Sequence, residues 1–596
     1  MTRTGKTGYF THFRMRQGNG RNEPVDLEDV TRYMCAAAYL DPGFADATIA
    51  ELVEDEHRAV VPSVGYDVEP VLRHCFRARA LRLRRDVALL AVLAVGLLLA
   101  WQIFVLWLFL GVIVASARRI RAFLRSLTVR RTVGGRAAGR MVPILVTAFT
   151  LLVVCYCGAG GIALLSKSGL PGLGGDDPVG LPSMDDGGQT VPEVPDQGVG
   201  GLLLRMTFVL VLALVVLFWY RRTLYRILTV ELGRGNEEHY PPDAPNSQLE
   251  KRVERVAAAQ YGNIALHSGR NPFIGGGAVH NSWSMSLELL PAGTRSSRSE
   301  RIAIDPVALH GHIRQRLRGM YGETLRDEEK ITGLVLSDHI VAIGERECDE
   351  LIEQRRYRPF SVASRAAIDA IIRHPQGHLR YYLRAVVGSE GREILGGGGP
   401  KDVVAARQDQ QIAVSTFLYL AVEGGMLYAE FVATVMPPLR PEYMVIDRWV
   451  PERVDLRAAL ESFPALFTDL PAAPLGAVRS VSTMLGYGRR MRRADRACQE
   501  FRYYDYGARL SVRELAARGA PLSYLQDLDA EKYYKLIERA VTSAVLEFLA
   551  DHNVDTTEYE TRANTVLNAG VIITGGQFNG PVAAGAGAVA SQTSST

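Results

Sequence analysis

VALLAVLAVGLLLAWQIFVLWLFLGVIVASA, residues 87–117, decides how the rest of this chain is read. The block carries one side-chain amide, Gln102, and no charge over 31 residues. As helix it would run roughly 46 Å at about 1.5 Å per residue, where a bilayer core needs about 30 Å. Its flanks are dense in arginine: Arg77, Arg79, Arg82, Arg84 and Arg85 precede it, and Arg118, Arg119, Arg121, Arg125, Arg130, Arg131, Arg136 and Arg140 follow it. Positive charge favours the cytoplasmic side, so both flanks are expected there. A hairpin of two short spans turning near Trp101 and Gln102 meets that condition, whereas one tilted span strands an arginine cluster outside.

Working outward, residues 141–165 form a second apolar block and residues 201–220 a third. Between them, 166–200 is rich in Gly and Pro and sets Asp176, Asp177, Asp185, Asp186, Glu193 and Asp196 against Lys167 alone, which suits an external loop. The third block ends in Trp219, Tyr220, Arg221 and Arg222, an aromatic and basic interface anchor. The expected fold is therefore an α-helical transmembrane module of two helical hairpins, four spans in all, plus a cytosolic α+β domain with antiparallel sheet. Its segments are a disordered start (1–24), a cytosolic helical region (25–86), the hairpin (87–117), an Arg-rich linker (118–140), a span (141–165), the acidic loop (166–200), a span (201–220), a linker (221–246), the α+β domain (247–560) and an uncharged tail (561–596). The N-terminal region lacks a signal-peptide apolar core. A multi-pass protein of the cytoplasmic membrane with both termini inside is the expected localisation.

The net charge of +4 matters less than its placement beside the membrane. Anionic lipid headgroups are the expected partners of Arg82, Arg84, Arg85, Arg118, Arg119, Arg221 and Arg222, at about 1 kcal/mol per basic residue. No nucleic-acid partner is needed to account for them. Six cysteines without paired spacing in a soluble segment give no disulfide framework or zinc site.

In the domain, Trp283–Leu289 alternates at period two, Leu379–Val387 reads as a strand, and 411–422 with 426–436 reads as a hairpin about Glu423-Gly424-Gly425. Asp305-Pro306 is a helix cap, Ser511-Val-Arg-Glu514 a capping box, and 529–553 a long amphipathic helix. Chemistry is sparse. Gly275-Gly276-Gly277 and Gly396–Gly399 match no phosphate-loop pattern, and His310 and His312 stand two apart without a metal-site companion. Glu54, Asp55, Glu56 and His57 read as a solvated face, and so does the acidic run from Glu345 to Glu353 as a helical surface. No catalytic residue, cofactor or metal ligand is assigned, and an enzyme of unrecognised type stays open.

From Ala563 to Thr596 the chain has 34 residues without a charge. Val571, Ile572 and Ile573, a Gly575-Gly576 turn, and Gln577-Phe578-Asn579-Gly580 combine β-formers with amides that can ladder between identical chains. With Asn568, Gly570, Pro581 and Val582, this stretch resembles the short C-terminal amyloid signalling motifs of actinobacteria, similar in kind to the RIP homotypic interaction motif. The resemblance implies templated β-stacking that couples a receptor to an effector. The stretches PFIGGG…WSMSLEL at 272–289 and MPPLRPEY at 436–443, beside the arginine-flanked membrane block, resemble a group of uncharacterised multi-pass membrane proteins common in actinobacteria, which carries no activity over. The expected function is an integral membrane scaffold or signalling protein, acting through homo-oligomers or a partner with a similar tail, in defence or cell death. An oligomeric channel is the alternative.

Overall fold

The structure is a computed structural model that describes residues 9–13, 29–130, 199–233, 241–292, 301–321, 330–388, 394–395, 403–405, 411–519, 522–557 and 559–561. The chain divides into two compact units. One comprises Met1–Arg79, Leu232–Arg448 and Gly486–Thr596, and the other comprises Ala80–Glu231 and Trp449–Leu485.

The first unit is an α+β domain that takes in Met1–Arg79 and leaves Trp449–Leu485 to the second unit, unlike the 247–560 bounds expected. Its sheet has six strands: β1 (Ile264–His267), β2 (Ala278–Glu288), β3 (Leu334–Ile343), β4 (Arg380–Gly388), β5 (Ala413–Glu423) and β6 (Met426–Met436). They lie in the order β1-β3-β4-β5-β6-β2, antiparallel except for β1 beside β3. Side chains alternate across a strand, so Leu383, Ala385 and Val387 of β4, Val414, Leu418 and Leu420 of β5, and Leu427, Ala429, Phe431 and Ala433 of β6 share one face. Helices Pro306–Arg318, Arg365–Arg373 and Tyr524–Asp551 cover it with Leu309, Ile313, Ile368, Ile537, Val541 and Val545. Each such side chain contributes about 1.5–3 kcal/mol when fully buried. The opposite face carries a smaller aromatic cluster of Phe273, Tyr382 and Phe417 with Val341 and Val432.

Local chemistry sets the boundaries. Gly424 (φ 61°) and Gly425 (φ 78°) supply the two left-handed residues that a tight hairpin turn between β5 and β6 requires. Asp305 caps Pro306–Arg318 by accepting from Val307 N at 3.1 Å. The long C-terminal helix begins at Tyr524 because Ser523 and Gln526 form a reciprocal capping box. The capping box expected at Ser511 is absent: Val512–Leu515 is a single turn, and Glu514 instead accepts from Gly275 N at 2.8 Å and Gly277 N at 3.1 Å. Likewise the acidic run from Glu345 is no helix; it is made of short strands and turns, Glu345–Arg346 and Ile352–Glu353 among them.

In the second unit the expected four spans and two hairpins are overturned. Residues 87–117 lie within one continuous helix, Val68–Arg130, with helical backbone at Trp101 and Gln102. The local sequence offers neither proline nor a turn pair to interrupt the helix there. Arg85 and Arg118 consequently stand roughly 50 Å apart along a single rod, so the arginine flanks do not meet at one level. Among the described residues one helix, Leu204–Glu231, is by length and composition long and apolar enough to cross a membrane. The block at 141–165 lies outside the described residues.

That helix is two-sided. Val209, Ala213 and Leu217 pack against Leu89, Val92 and Leu93 of the long helix, joined by Ala465, Leu466, Leu470 and Ala473. Leu204, Phe208, Val211, Val215 and Trp219 form the other stripe at helical spacing and are exposed, between 52 and 73 %. Helix Val454–Leu466 repeats the pattern: Val454, Ala458, Ser462 and Ala465 are buried, while Leu456, Leu460 and Phe463 are exposed.

Candidate functional site

The chemistry of the first unit gathers around residues 54–58, Glu-Asp-Glu-His-Arg, which leave a π-helical turn, Ala50–Glu54. Asp55 is extended (φ −117°, ψ 95°), so successive side chains point apart, and each is met by a different element. Glu54 accepts from Arg490. Asp55 accepts from Arg58 Nε at 2.8 Å and from the Tyr504 hydroxyl at 2.7 Å. Glu56 pairs with Arg358 and, at 3.5 Å, with Arg252. The solvated face expected for these residues is therefore a set of buried or half-buried ion pairs.

His57 is buried, and its Nδ1 donates to the Tyr357 carbonyl at 2.8 Å. That fixes the ring, whose Nε2 lies 2.9 Å from Asp495 Oδ1 and 3.5 Å from Cys498 Sγ. Cysteine, histidine and aspartate together resemble a nucleophile assembly. Burial, with Asp495 and Asp55 adding to it, pushes the Cys498 thiol up to about 12, however, which keeps it protonated and unreactive near neutral pH. Glu56, His57 and Asp495 also place one ligand atom each within 4.8 Å of one another. Their surroundings do not suit a cation. Burial pushes the Glu56 carboxyl up, but Arg252, Arg358 and Arg255 outweigh it and hold the group below the usual carboxylate range.

Next to this cluster lies a cavity of about 140 Å³. Arg58, Arg255 and Arg358 line it together with Phe13, Phe360 and Ile264. Helix Ser247–Ala259 turns its buried stripe, Leu249, Val253, Val256 and Ala257, into the core, which leaves Arg252 and Arg255 on its flank. Arg255 donates to the backbone carbonyls of Glu56 and, at 3.1 Å, Leu52. Its Nε, like that of Arg358, is buried with no hydrogen-bond partner among the described residues. Burial, reinforced by Arg358 and Arg252, pulls Arg255 down to about 10. The short strand Phe10–Thr11 pairs with Val362–Ala363 and brings His12 and Phe13 to the cavity. His12 packs tilted against Phe360 at 4.9 Å, and burial lowers it, so the ring is uncharged at neutral pH.

The other sequence candidates are scattered. His310 is buried edge-on to Tyr381 at 4.9 Å and pushed down to about 3 by burial, while His312 lies 3.7 Å from Glu547. Gly275 and Gly277 hold a carboxylate rather than facing open space for a phosphate. Gly396–Gly399 and the tail residues Asn568, Val571, Ile572, Ile573, Gln577, Phe578, Asn579 and Val582 lie outside the described residues. Of the basic set, Arg85 contacts Asp86 and sits 4.9 Å over the Tyr220 ring. Arg221 pairs with Glu461 and Asp469, and Arg222 pairs with Asp455. The side chains of Arg118 and Arg119 are not among those described.

No signal at 54–58 announced the cluster, because its partners come from residues 252, 358, 490, 495 and 504. No curated protein and no solved structure matches the chain. An AbeC-like domain matches residues 282–579, which begins within β2, takes in Arg358, Asp495 and Cys498, and covers half of the 596 residues. The chain belongs to the AbeC-like domain family.

Proposed function

We propose that this protein is a membrane-anchored scaffold or signalling protein, whose α+β domain works at the cytoplasmic face of the cytoplasmic membrane and whose C-terminal tail recruits partners. The observation that carries the reading is the apolar stripe of Leu204, Phe208, Val211, Val215 and Trp219, exposed among the described residues, on a helix long enough to span. An aqueous surface rarely keeps so large a continuous apolar patch. At its C-terminal end, Arg221 and Arg222 are joined to Glu461, Asp469 and Asp455, which suits an interface level where charge meets water. Placing that basic end inside puts Leu232 and everything after it in the cytoplasm. Residues 564–584 would then project into the cytoplasm, where amide laddering between copies could cluster the protein.

Two experiments test the two halves separately. Carbonate extraction of membranes should leave the full chain in the pellet; release into the supernatant would remove the anchor. In liposomes, clustering of the full chain should be lost in Ile572→Pro and Phe578→Pro; clustering that persists in both would remove the tail from the reading.

A further inference from the structure

We propose that the arginine-lined cavity of the α+β domain binds a phosphate group. Arg252, Arg255 and Arg358 gather about the carboxylate of Glu56, while Glu353, the cross-strand neighbour of Arg358, lies 3.4 Å from His12 at the same cavity. Two guanidinium Nε groups, on Arg255 and Arg358, are buried without acceptors, and both residues line the cavity. An unmade hydrogen bond at a buried charged donor is costly, and an oxyanion that accepts from both relieves it. Arg58 lines the same space but is already held by Asp55 and Glu51, so it offers neither a free fork nor net charge.

A carboxylate would bring one charge, whereas phosphate brings close to two and more acceptor oxygens, matching forked donors from several directions. Volume agrees: about 140 Å³ accommodates a phosphate with a small organic portion. That portion would rest on Phe13, Phe360 and Ile264. The source is free phosphate or the phosphate of a small metabolite, which share the recognised group. This inference stands on the cavity alone and is independent of the membrane reading.

The test uses the full chain in detergent and measures melting temperature against sodium phosphate, pyrophosphate and adenosine monophosphate, with sodium chloride at matched ionic strength. Phosphate should raise Tm by several degrees, increasing with the logarithm of its concentration, while chloride should not. A larger rise with adenosine monophosphate identifies a metabolite, and equal rises identify free phosphate. Arg255→Met and, separately, Arg358→Gln should each weaken binding by about tenfold or more. The second variant keeps the test valid if the first fails to fold. No phosphate-specific shift, or a shift unchanged in a folded Arg358→Gln protein, would overturn the proposal.

Discussion

Replacing Glu56 with glutamine removes one negative charge and almost no volume, so it isolates the electrostatic work done at the heart of the cluster. Glu56 pairs with Arg252 at 3.5 Å and with Arg358, and its side chain is 15 % exposed. Two unit charges about 4 Å apart interact by about 4 kcal/mol at an effective dielectric of 20. Glutamine still accepts a hydrogen bond, which returns part of that, and desolvated guanidiniums stranded without a counter-charge add to the loss. Breaking such a pair from one side typically costs about 3–5 kcal/mol; with the partners partly exposed, the expected value is about 3 kcal/mol. At about 1–2 °C per kcal/mol for a unit of this size, Tm should fall by roughly 3–6 °C.

The sign with pH follows from the depressed carboxyl. Its contribution is fully present above the ordinary value of 4.5 and is lost as pH falls through the lower folded value. Thermal unfolding of wild type and Glu56→Gln in detergent from pH 7 to pH 3 should therefore show a constant gap that closes below about pH 4.5. A gap under about 1 kcal/mol at pH 7, or one that does not change with acid, would refute the reasoning and mean that the guanidiniums are well hydrated.

Phe431 is fully buried and stacked at 5.7 Å on Trp283, so Phe431→Ala should cost about 3–5 kcal/mol in urea unfolding. Gly425 sits at φ 78°, and Gly425→Val should cost at least about 1–2 kcal/mol by the same measurement through left-handed strain, with the Arg301 side chain also displaced by the added Cβ. With its thiol held up near 12, Cys498 should resist iodoacetamide at pH 8 in the native protein and react only on unfolding, as mass spectrometry of alkylated peptides would show. Clustering lost in Ile572→Pro and Phe578→Pro, read in liposomes, remains the test of the tail.

What could be read from the sequence was what depends on near neighbours. The β5–β6 hairpin was legible because two strands of 11 residues flank a Gly-Gly pair, and a two-glycine turn dictates the register. Asp305-Pro306 was legible because a cap and a first-turn proline act within four residues. The cluster at 54–58 was not, since a short charged stretch looks alike whether water or arginines some 200 to 440 residues away solvate it. The hairpin expected within 87–117 failed for another reason. Arginine placement speaks about sides of a membrane, but whether a backbone turns depends on local residues, and nothing near Trp101 interrupts a helix. Similarly, Glu514 carries a capping-box spacing, yet the two glycine N–H groups of the 275–277 loop compete for it and win.

The account rests on one face of the Leu204–Glu231 helix meeting lipid. A photo-crosslinking residue placed at Phe208, Val211 or Val215 in the full chain, reconstituted in liposomes, should give lipid adducts, whereas the same residue at Val209 or Ala213 should crosslink only to protein. Protein or water adducts at Phe208, Val211 and Val215 would contradict the membrane anchor outright.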